Sequence, residues 1–353
     1  MTDLLAAEVD RRAPLDERLV CVAVEDVTHD VRSFTFERAD GSVVDFEPGQ
    51  YLTFTVEVDG VELQRCYTIA SSPTRPDRPT ITVKRVPDGP VSGWLHDRLR
   101  VGDALTATGP HGRFSHAHHP AEKYLFLSAG SGITPLMSMT RALRDRPGDP
   151  DLVFVHSARS PRDIIFRREL EAAAELPGIE VTVVCESASD DDPWDGATGL
   201  LGLRTLLRVA PDLHEREVFT CGPPGYMTAV REALDLAGVD PDRCHEESFD
   251  LAARGAGHTI AAAPSGPAYA VEFRRSGLNV PCGESETLLD AALRAGLRPP
   301  SMCREGICGT CRVSLVEGRV DLQHSGGIRD RDVERGEILL CCSRPCGDVA
   351  VDA

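Results

Sequence analysis

Long apolar runs are missing from this chain of 353 residues. No stretch approaches the roughly 18 unbroken apolar residues that a membrane-spanning helix needs. Basic charge is scarce as well, with 38 Lys and Arg against 56 Asp and Glu and a formal net charge of −18. A surface of that sign repels phosphate backbones and anionic headgroups, so neither nucleic acid nor membrane is an expected partner. It fits solubility, or a basic partner protein. The opening Met1-Thr2-Asp3-Leu4-Leu5-Ala6-Ala7-Glu8 has neither the basic start nor the apolar run of a secretory leader. The expected location is therefore cytoplasmic. In an unexported chain, the 12 cysteines argue for metal ligation or reduced thiols rather than a disulfide framework. No internal repeat stands out.

What the chain does have is a C-terminal cysteine pattern. Ser301-Met302-Cys303-Arg304-Glu305-Gly306-Ile307-Cys308-Gly309-Thr310-Cys311 is C-x4-C-x2-C, and Leu340-Cys341-Cys342-Ser343 brings another thiol from a distant segment. Plant-type [2Fe–2S] clusters are held by four thiolates at this spacing. Three ligands converging from one loop need little side-chain bulk where backbone wraps the core, and Gly306 and Gly309 meet that need. Zinc sites usually pair two short C-x2-C clips, whereas here one clip is extended and the fourth cysteine is single. Cys303, Cys308, Cys311 and Cys341 are the expected metal ligands, and the chain is expected to move single electrons. Cys342 would replace Cys341 if the register slipped by one. It and Cys346 otherwise read as packing residues, like most of the remaining cysteines.

The chain divides into segments of different pattern. From Arg18 to His118, short alternating runs such as Tyr51–Val58 are cut by Asp-Gly and Pro-Gly turns, which reads as all-β. From Lys123 onward, apolar strands near 124–127, 152–155, 181–184 and 217–220 alternate with helical stretches, the pattern of a parallel α/β sheet. Residues 252–267 have the Ala, Gly, Pro and Ser composition of a mobile linker. Strands then flank a short helix at 288–297. The expected boundaries are a tail at 1–17, domains at 18–118 and 119–251, the linker, and a third domain at 268–353.

Two motif sets lie in the first two domains. Arg65-Cys66-Tyr67-Thr68 is an R-x-Y-[ST] strand in which alternation puts Arg65 and Tyr67 on one face and Thr68 on the other. An arginine can pair with phosphate, a tyrosine ring can cover a flavin, and a hydroxyl can bond flavin N5. Gly89-Pro90-Val91-Ser92 then opens a helix whose free N–H groups suit a pyrophosphate. Ala129-Gly130-Ser131-Gly132-Ile133-Thr134-Pro135 follows a strand as a glycine-rich turn suited to a dinucleotide phosphate. It departs from G-x-G-x-x-G, since Pro135 takes the last glycine position. The next strand ends at Arg159 rather than an acid. Cys221-Gly222-Pro223 puts a thiol and a tight turn at another strand end, where Cys221 reads either as a core residue or as a contact to the nicotinamide. Four histidines, His111, His116, His118 and His119, look like a metal patch but are more simply read as a solvated loop.

R-x-Y-T, G-P-V-S, G-S-G-I-T-P and C-G-P in this order resemble the ferredoxin–NADP reductase superfamily, and the cysteine loop resembles its subgroup with a C-terminal plant-type ferredoxin domain. The resemblance spans about 18–352. It implies an antiparallel β-barrel that binds FAD, an α/β parallel-sheet domain that binds NAD(P), and an α+β β-grasp ferredoxin domain. It assigns Arg65, Tyr67, Thr68, Val83, Arg85, Gly89, Val91 and Ser92 to FAD. It assigns Gly130, Ser131, Gly132, Thr134, Arg159, Cys221, Gly222 and Pro223 to the nicotinamide nucleotide. Glu247-Ser248-Phe249 resembles the family's E-x-F segment near the flavin, with Glu246 as a competing acid. Thr68, Cys221 and Glu247 are the implied catalytic residues. The runs His156–Phe166 and Gln323–Ile328 resemble reductase subunits of Rieske-type oxygenases that demethylate quaternary amines such as glycine betaine. Reductases of hybrid-cluster proteins look similar over the same segments.

Electron counting supplies the expected mechanism. NAD(P)H gives up a hydride, whereas a [2Fe–2S] centre accepts one electron, so a flavin must lie between them. A near-attack distance of roughly 3–3.5 Å is expected between nicotinamide and flavin. The resemblance favours NADH, although Arg159 could meet the 2′-phosphate of NADPH. The expected partner is a terminal oxygenase or another redox protein. A non-catalytic redox-sensing module would carry the same cofactors, and fast NAD(P)H oxidation with ferricyanide separates the two. The chain has no Rieske C-x-H pair of its own.

Overall fold

The computed structural model describes residues 15–249, 267–297, 299–301, 306, 309–324, 328 and 330–353. Residues 1–14 of the expected 1–17 tail and 252–266 of the expected linker lie outside them, as do Cys303 and Cys308. The chain splits into two compact units, Met1–Phe219 with Ala233–His245, and Thr220–Glu232 with Glu246–Ala353. Among the described residues, no helix is long and apolar enough to cross a membrane.

The first part is antiparallel. Strands β1 (Leu15–Thr28), β2 (Val31–Arg38), β3 (Tyr51–Val58), β4 (Val61–Thr68) and β5 (Thr80–Lys84) precede helix α1 (Pro90–Asp97) and strand β6 (Ala104–His111). Their order in the sheet is β4-β3-β6-β1-β2-β5. The ends approach each other just past β4, where Ile69 bridges Ile81 of β5 and the Ala70 N–H donates to Thr80 O at 2.7 Å. Period-two alternation buries one face: Phe34, Phe36, Leu52, Phe54 and Val56 form the core with Ile69, Ile81 and Leu95. Asp59 and Gly60, at φ 51° and 78°, make the tight turn that sets the β3–β4 register.

The second part is wound around a mostly parallel sheet. It contains β7 (Lys123–Ala129), a 3-10 turn (Gly130–Gly132), α2 (Ile133–Arg144), β8 (Asp151–Ala158), α3 (Arg167–Ala174), β9 (Ile179–Cys185) and β10 (Ala197–Thr198). There follow α4 (Leu203–Val209), β11 (Glu217–Gly222), α5 (Pro224–Ala237) and β12 (Cys244–Ser248). The order is β10-β9-β8-β7-β11-β12. Strands β7 and β8 are buried almost end to end, as expected of a sheet covered by helices on both faces.

The C-terminal part comprises β13 (Ala268–Phe273), β14 (Leu278–Gly283), α6 (Leu288–Arg294), β15 (Arg312–Glu317), β16 (Val320–Leu322), α7 (Asp330–Glu334), β17 (Glu337–Leu339), β18 (Ser343–Pro345) and β19 (Val349–Val351). A five-stranded sheet ordered β14-β13-β19-β15-β17 mixes parallel and antiparallel pairs. Helix α6 starts at Thr287, whose hydroxyl accepts the Asp290 N–H at 3.2 Å, a side-chain cap that fixes the helix start. Its Leu288, Leu289 and Ala292 pack into a core with Val271, Phe273 and Val351.

Candidate functional site

Thr68 closes β4 opposite Tyr51. It is buried, and its Oγ1 has no hydrogen-bond partner among the described residues. Leaving a buried hydroxyl unpaired costs about 1–3 kcal/mol, so a polar group that completes its bonding, such as a flavin ring nitrogen, fits the position. Arg65 and Tyr67 are both half-buried on the same strand. The Arg65 guanidinium donates to Gln64 O at 2.7 Å, and the Tyr67 ring lies 6.2 Å from that of Phe54.

The glycine turn ahead of α1 is built around one hydroxyl. Ser92 Oγ accepts the Val86 N–H at 3.1 Å and donates to Gly89 O at 3.2 Å. A Cβ on Gly89 would lie 2.6 Å from that oxygen, so only glycine leaves the turn intact. Pro90 has no N–H, and the first helical bond runs from Gly93 N to Gly89 O. The N–H groups of Val91 and Ser92 therefore have no intrahelical acceptor, which fits an anion. The Ser92 hydroxyl is already engaged in the turn. Val83 is buried in the barrel core, and His96 Nε2 lies 2.9 Å from its carbonyl oxygen. Arg85 points to the other end of α1, where it forks onto both oxygens of Asp97 at 2.6 and 2.7 Å.

In the nucleotide part, Gly130 sits at φ 52° with open space where a Cβ would be. A backbone turn without side-chain cover beside a helix start is what close approach of a phosphate requires. Ser131 is half-buried and Gly132 buried. Thr134 is buried with its hydroxyl donating to Ser131 O at 3.1 Å, which stiffens the turn. Arg159 is exposed just beyond β8, and its carbonyl oxygen accepts the Ser187 N–H at 3.0 Å.

Cys221 and Gly222 are buried at the end of β11, and Pro223 is exposed. Burial pushes the Cys221 thiol well above its ordinary range, and the Glu247 carboxylate raises it further. Glu247 is buried with Oε2 unpartnered among the described residues, and burial raises its pKa to about 8. Glu246 is exposed and paired with Arg231 at 2.7 Å. Glu247 thus holds its proton at neutral pH. Phe249 is half-buried.

Near the C-terminus, Cys311 and Cys341 are buried. The Cys341 N–H donates to Cys311 Sγ at 3.5 Å, and the Gly306 N–H donates to Cys341 Sγ at 3.2 Å. Backbone donors aimed at two sulfurs suit thiolates that ligate a cluster, since hydrogen bonds to sulfur help to set such a centre's potential. The Cys342 sulfur faces Leu339 O at 3.8 Å instead. Gly306, at φ 70°, leaves no room for a Cβ, which would fall 2.7 Å from Cys342 Sγ and 2.8 Å from His324 Cα.

Three family matches cover these parts: an oxidoreductase FAD-binding domain at residues 18–116, an oxidoreductase NAD-binding domain at 126–232 and a 2Fe-2S iron-sulfur cluster binding domain at 271–346. The glycine betaine monooxygenase reductase subunit of Pseudomonas aeruginosa is 45% identical over 345 residues, 94% of each chain. The chain belongs to the ferredoxin–NADP reductase superfamily, in the group with a C-terminal [2Fe–2S] domain. The stachydrine N-demethylase reductase subunit of Rhizobium meliloti is 43% identical over 341 residues, 96% of each chain. Among solved structures, phthalate dioxygenase reductase superposes with a TM-score of 0.59 at 26% identity, over 96% of this chain and 98% of its own. FAD, a [2Fe–2S] cluster and NADH are the cofactors of this oxidoreductase.

The four sequence histidines do not gather into one patch. His118 pairs with Glu47 at 2.7 Å, His116 is buried, and His119 stacks on His245 at 3.6 Å. Sequence reading passed over the polar residues of α2. Ser138, Arg141 and Asp145 follow an i, i+3, i+7 spacing beside an otherwise apolar helix face, and that spacing was the available signal.

Proposed function

We propose that this chain is the NADH-oxidising reductase of a Rieske-type oxygenase that demethylates glycine betaine or a related quaternary amine. The observation that carries the reading is similarity along nearly the full length, at 45% and 43% identity, to the reductase subunits of a glycine betaine monooxygenase and a stachydrine N-demethylase. When bound, FAD accepts a hydride as an electron pair and releases electrons singly, and a [2Fe–2S] centre carries one at a time. The Thr68 hydroxyl would bond the flavin ring, Arg65 and the Val91 and Ser92 N–H groups would hold the pyrophosphate, and Tyr67 would cover the ring. The Gly130–Thr134 turn and Arg159 would hold the nucleotide's phosphates, and Cys221, Gly222 and Pro223 are the residues assigned to its nicotinamide. Protonated Glu247 can donate or hold a proton beside Cys221. Cys303, Cys308, Cys311 and Cys341 ligate the iron.

The test uses purified holoprotein, NADH and the oxygenase component of such a system. Glycine betaine should stimulate NADH oxidation and release formaldehyde in step with it. Fast NADH–ferricyanide activity with no formaldehyde, together with rapid reduction of a hybrid-cluster protein, would transfer the assignment to that partner.

A further inference from the structure

Helix α2 does more than open with the nucleotide turn. Two of its polar residues, and a third just past its end, reach the segment that leaves the Thr68 strand. Ser138 Oγ donates to Ser71 O at 2.9 Å, and Arg141 Nη1 donates to Ala70 O. Just past the helix end, Asp145 Oδ2 accepts the Ser72 hydroxyl at 2.7 Å and the Thr74 hydroxyl. Spacing of i, i+3 and i+7 puts the three on one face. Arg141 is held in place from behind, since its Nε donates to Glu169 at 2.8 Å and its guanidinium lies 4.8 Å from the Phe166 ring centroid. The segment is held from the barrel side too, by Ala70 N to Thr80 O at 2.7 Å and Thr80 N to Ser71 Oγ at 3.0 Å. Residues 70–74 are therefore pinned between β5 and α2, two positions after Thr68.

We propose that Ser138, Arg141 and Asp145 are positioning residues that fix the nucleotide turn at the head of α2 relative to the Thr68 strand end, and so set the approach of nicotinamide to flavin. The inference rests on the flavin and nucleotide sites read above. From Gly132 to Ser138 a helix rises only about 9 Å, so the clamp sits close to the turn it would steady. Hydride transfer is steep in distance, and a 1 Å misplacement costs on the order of 100-fold. Loss of the clamp therefore acts on the rate of the bound complex rather than on its formation.

Flavin bleaching by NADH, followed by stopped flow in the holoprotein, should slow about 10- to 100-fold in Asp145→Ala. The half-saturating NADH concentration should stay within about threefold, because the phosphate turn itself is untouched. Ser72→Ala should slow bleaching in the same way. The double variant should be no slower than Asp145→Ala alone, since Ser72→Ala removes one of the two contacts that Asp145→Ala already removes. Amide hydrogen exchange at 69–74 should quicken in each variant, with FAD bound and after FAD is stripped. Arg141→Lys, which keeps the charge and loses the fork, serves if Asp145→Ala does not fold. Unchanged limiting rates, additive slowing in the double variant, or unaltered exchange at 69–74 would each overturn the proposal. Failure of the underlying sites looks different: NADH would then leave the wild-type flavin unbleached.

Discussion

A carboxyl whose pKa is raised by burial to about 8, against an ordinary 4.5, holds its proton across the neutral range, and Glu247 is such a group. Between those two values the folded chain binds one proton more than the unfolded chain, so stability falls as pH rises. Glu247's contribution is intact below the ordinary carboxyl range and is lost as pH passes about 8. Glu247→Gln removes the titration and keeps the shape. The thermal midpoint of the variant should move up relative to wild type progressively from pH 5 to pH 8, and a constant offset over that range would contradict the burial argument. The sequence could not choose between Glu246 and Glu247. Strand alternation says only that they face opposite ways, and Arg231, which claims Glu246, lies on a different element. Thr68 was legible because R-x-Y-T fixes both its strand and its face. What no sequence displays is that its hydroxyl is left without a partner.

At the scale of elements, the loop into α1 shows how a glycine requirement arises without unusual dihedrals. Gly89 has φ −81°, which any residue tolerates. Its constraint is space, because an added Cβ would press on Ser92 Oγ at 2.6 Å and on the Val86 side chain at 3.0 Å. The Ser92 hydroxyl would have to abandon Val86 N or Gly89 O, and the first N–H groups of α1 would turn with it. Gly89→Ala should therefore weaken FAD binding to the apoprotein about tenfold, worth ~1.4 kcal/mol, with the fold retained. Quenching of FAD fluorescence on titration gives the constant. Unchanged affinity would remove this helix start as the pyrophosphate seat. The helix and its opening turn were readable from Gly-Pro at the start and from the apolar spacing after it. The direction of Arg85 was not, because its partner Asp97 lies a full helix away in sequence. The strand alternation of the second part likewise announced a parallel sheet, whereas the ties from α2 to residues 70–74 join chain positions about seventy apart and leave no local pattern on the flavin side.

For the molecule as a whole, acid should be the weak side. His156 is fully buried, with Nδ1 2.8 Å from the Ser128 hydroxyl and Nε2 without a partner among the described residues, and burial lowers its pKa to about 3. His116 is buried against Tyr124 with neither ring nitrogen bonded among the described residues, and burial, with Arg146 adding to it, lowers its pKa to about 4. Both are neutral in the fold and become charged near 6.5 once unfolded. Folded pKa values below the unfolded ones give stability that is present above pH 6.5 and is lost as pH falls towards 4. The two protons these take up on unfolding give by themselves a slope of about 2.7 kcal/mol per pH unit, and His119 in the same compact unit, lowered by burial to about 4, adds a third. Acid also attacks thiolate-held iron, so the readout must not depend on the cluster. Trp94 and Trp194 are the chain's two tryptophans, and both lie in the first compact unit together with His116 and His156. Tryptophan fluorescence during urea unfolding therefore reports the unit that carries both histidines. The urea midpoint should fall steeply between pH 6.5 and 4.5, and His156→Gln should flatten that fall by about a third if the variant folds. An equally steep fall in the variant would mean that other groups, carboxylates such as Asp145 and Asp212 among them, carry the acid sensitivity.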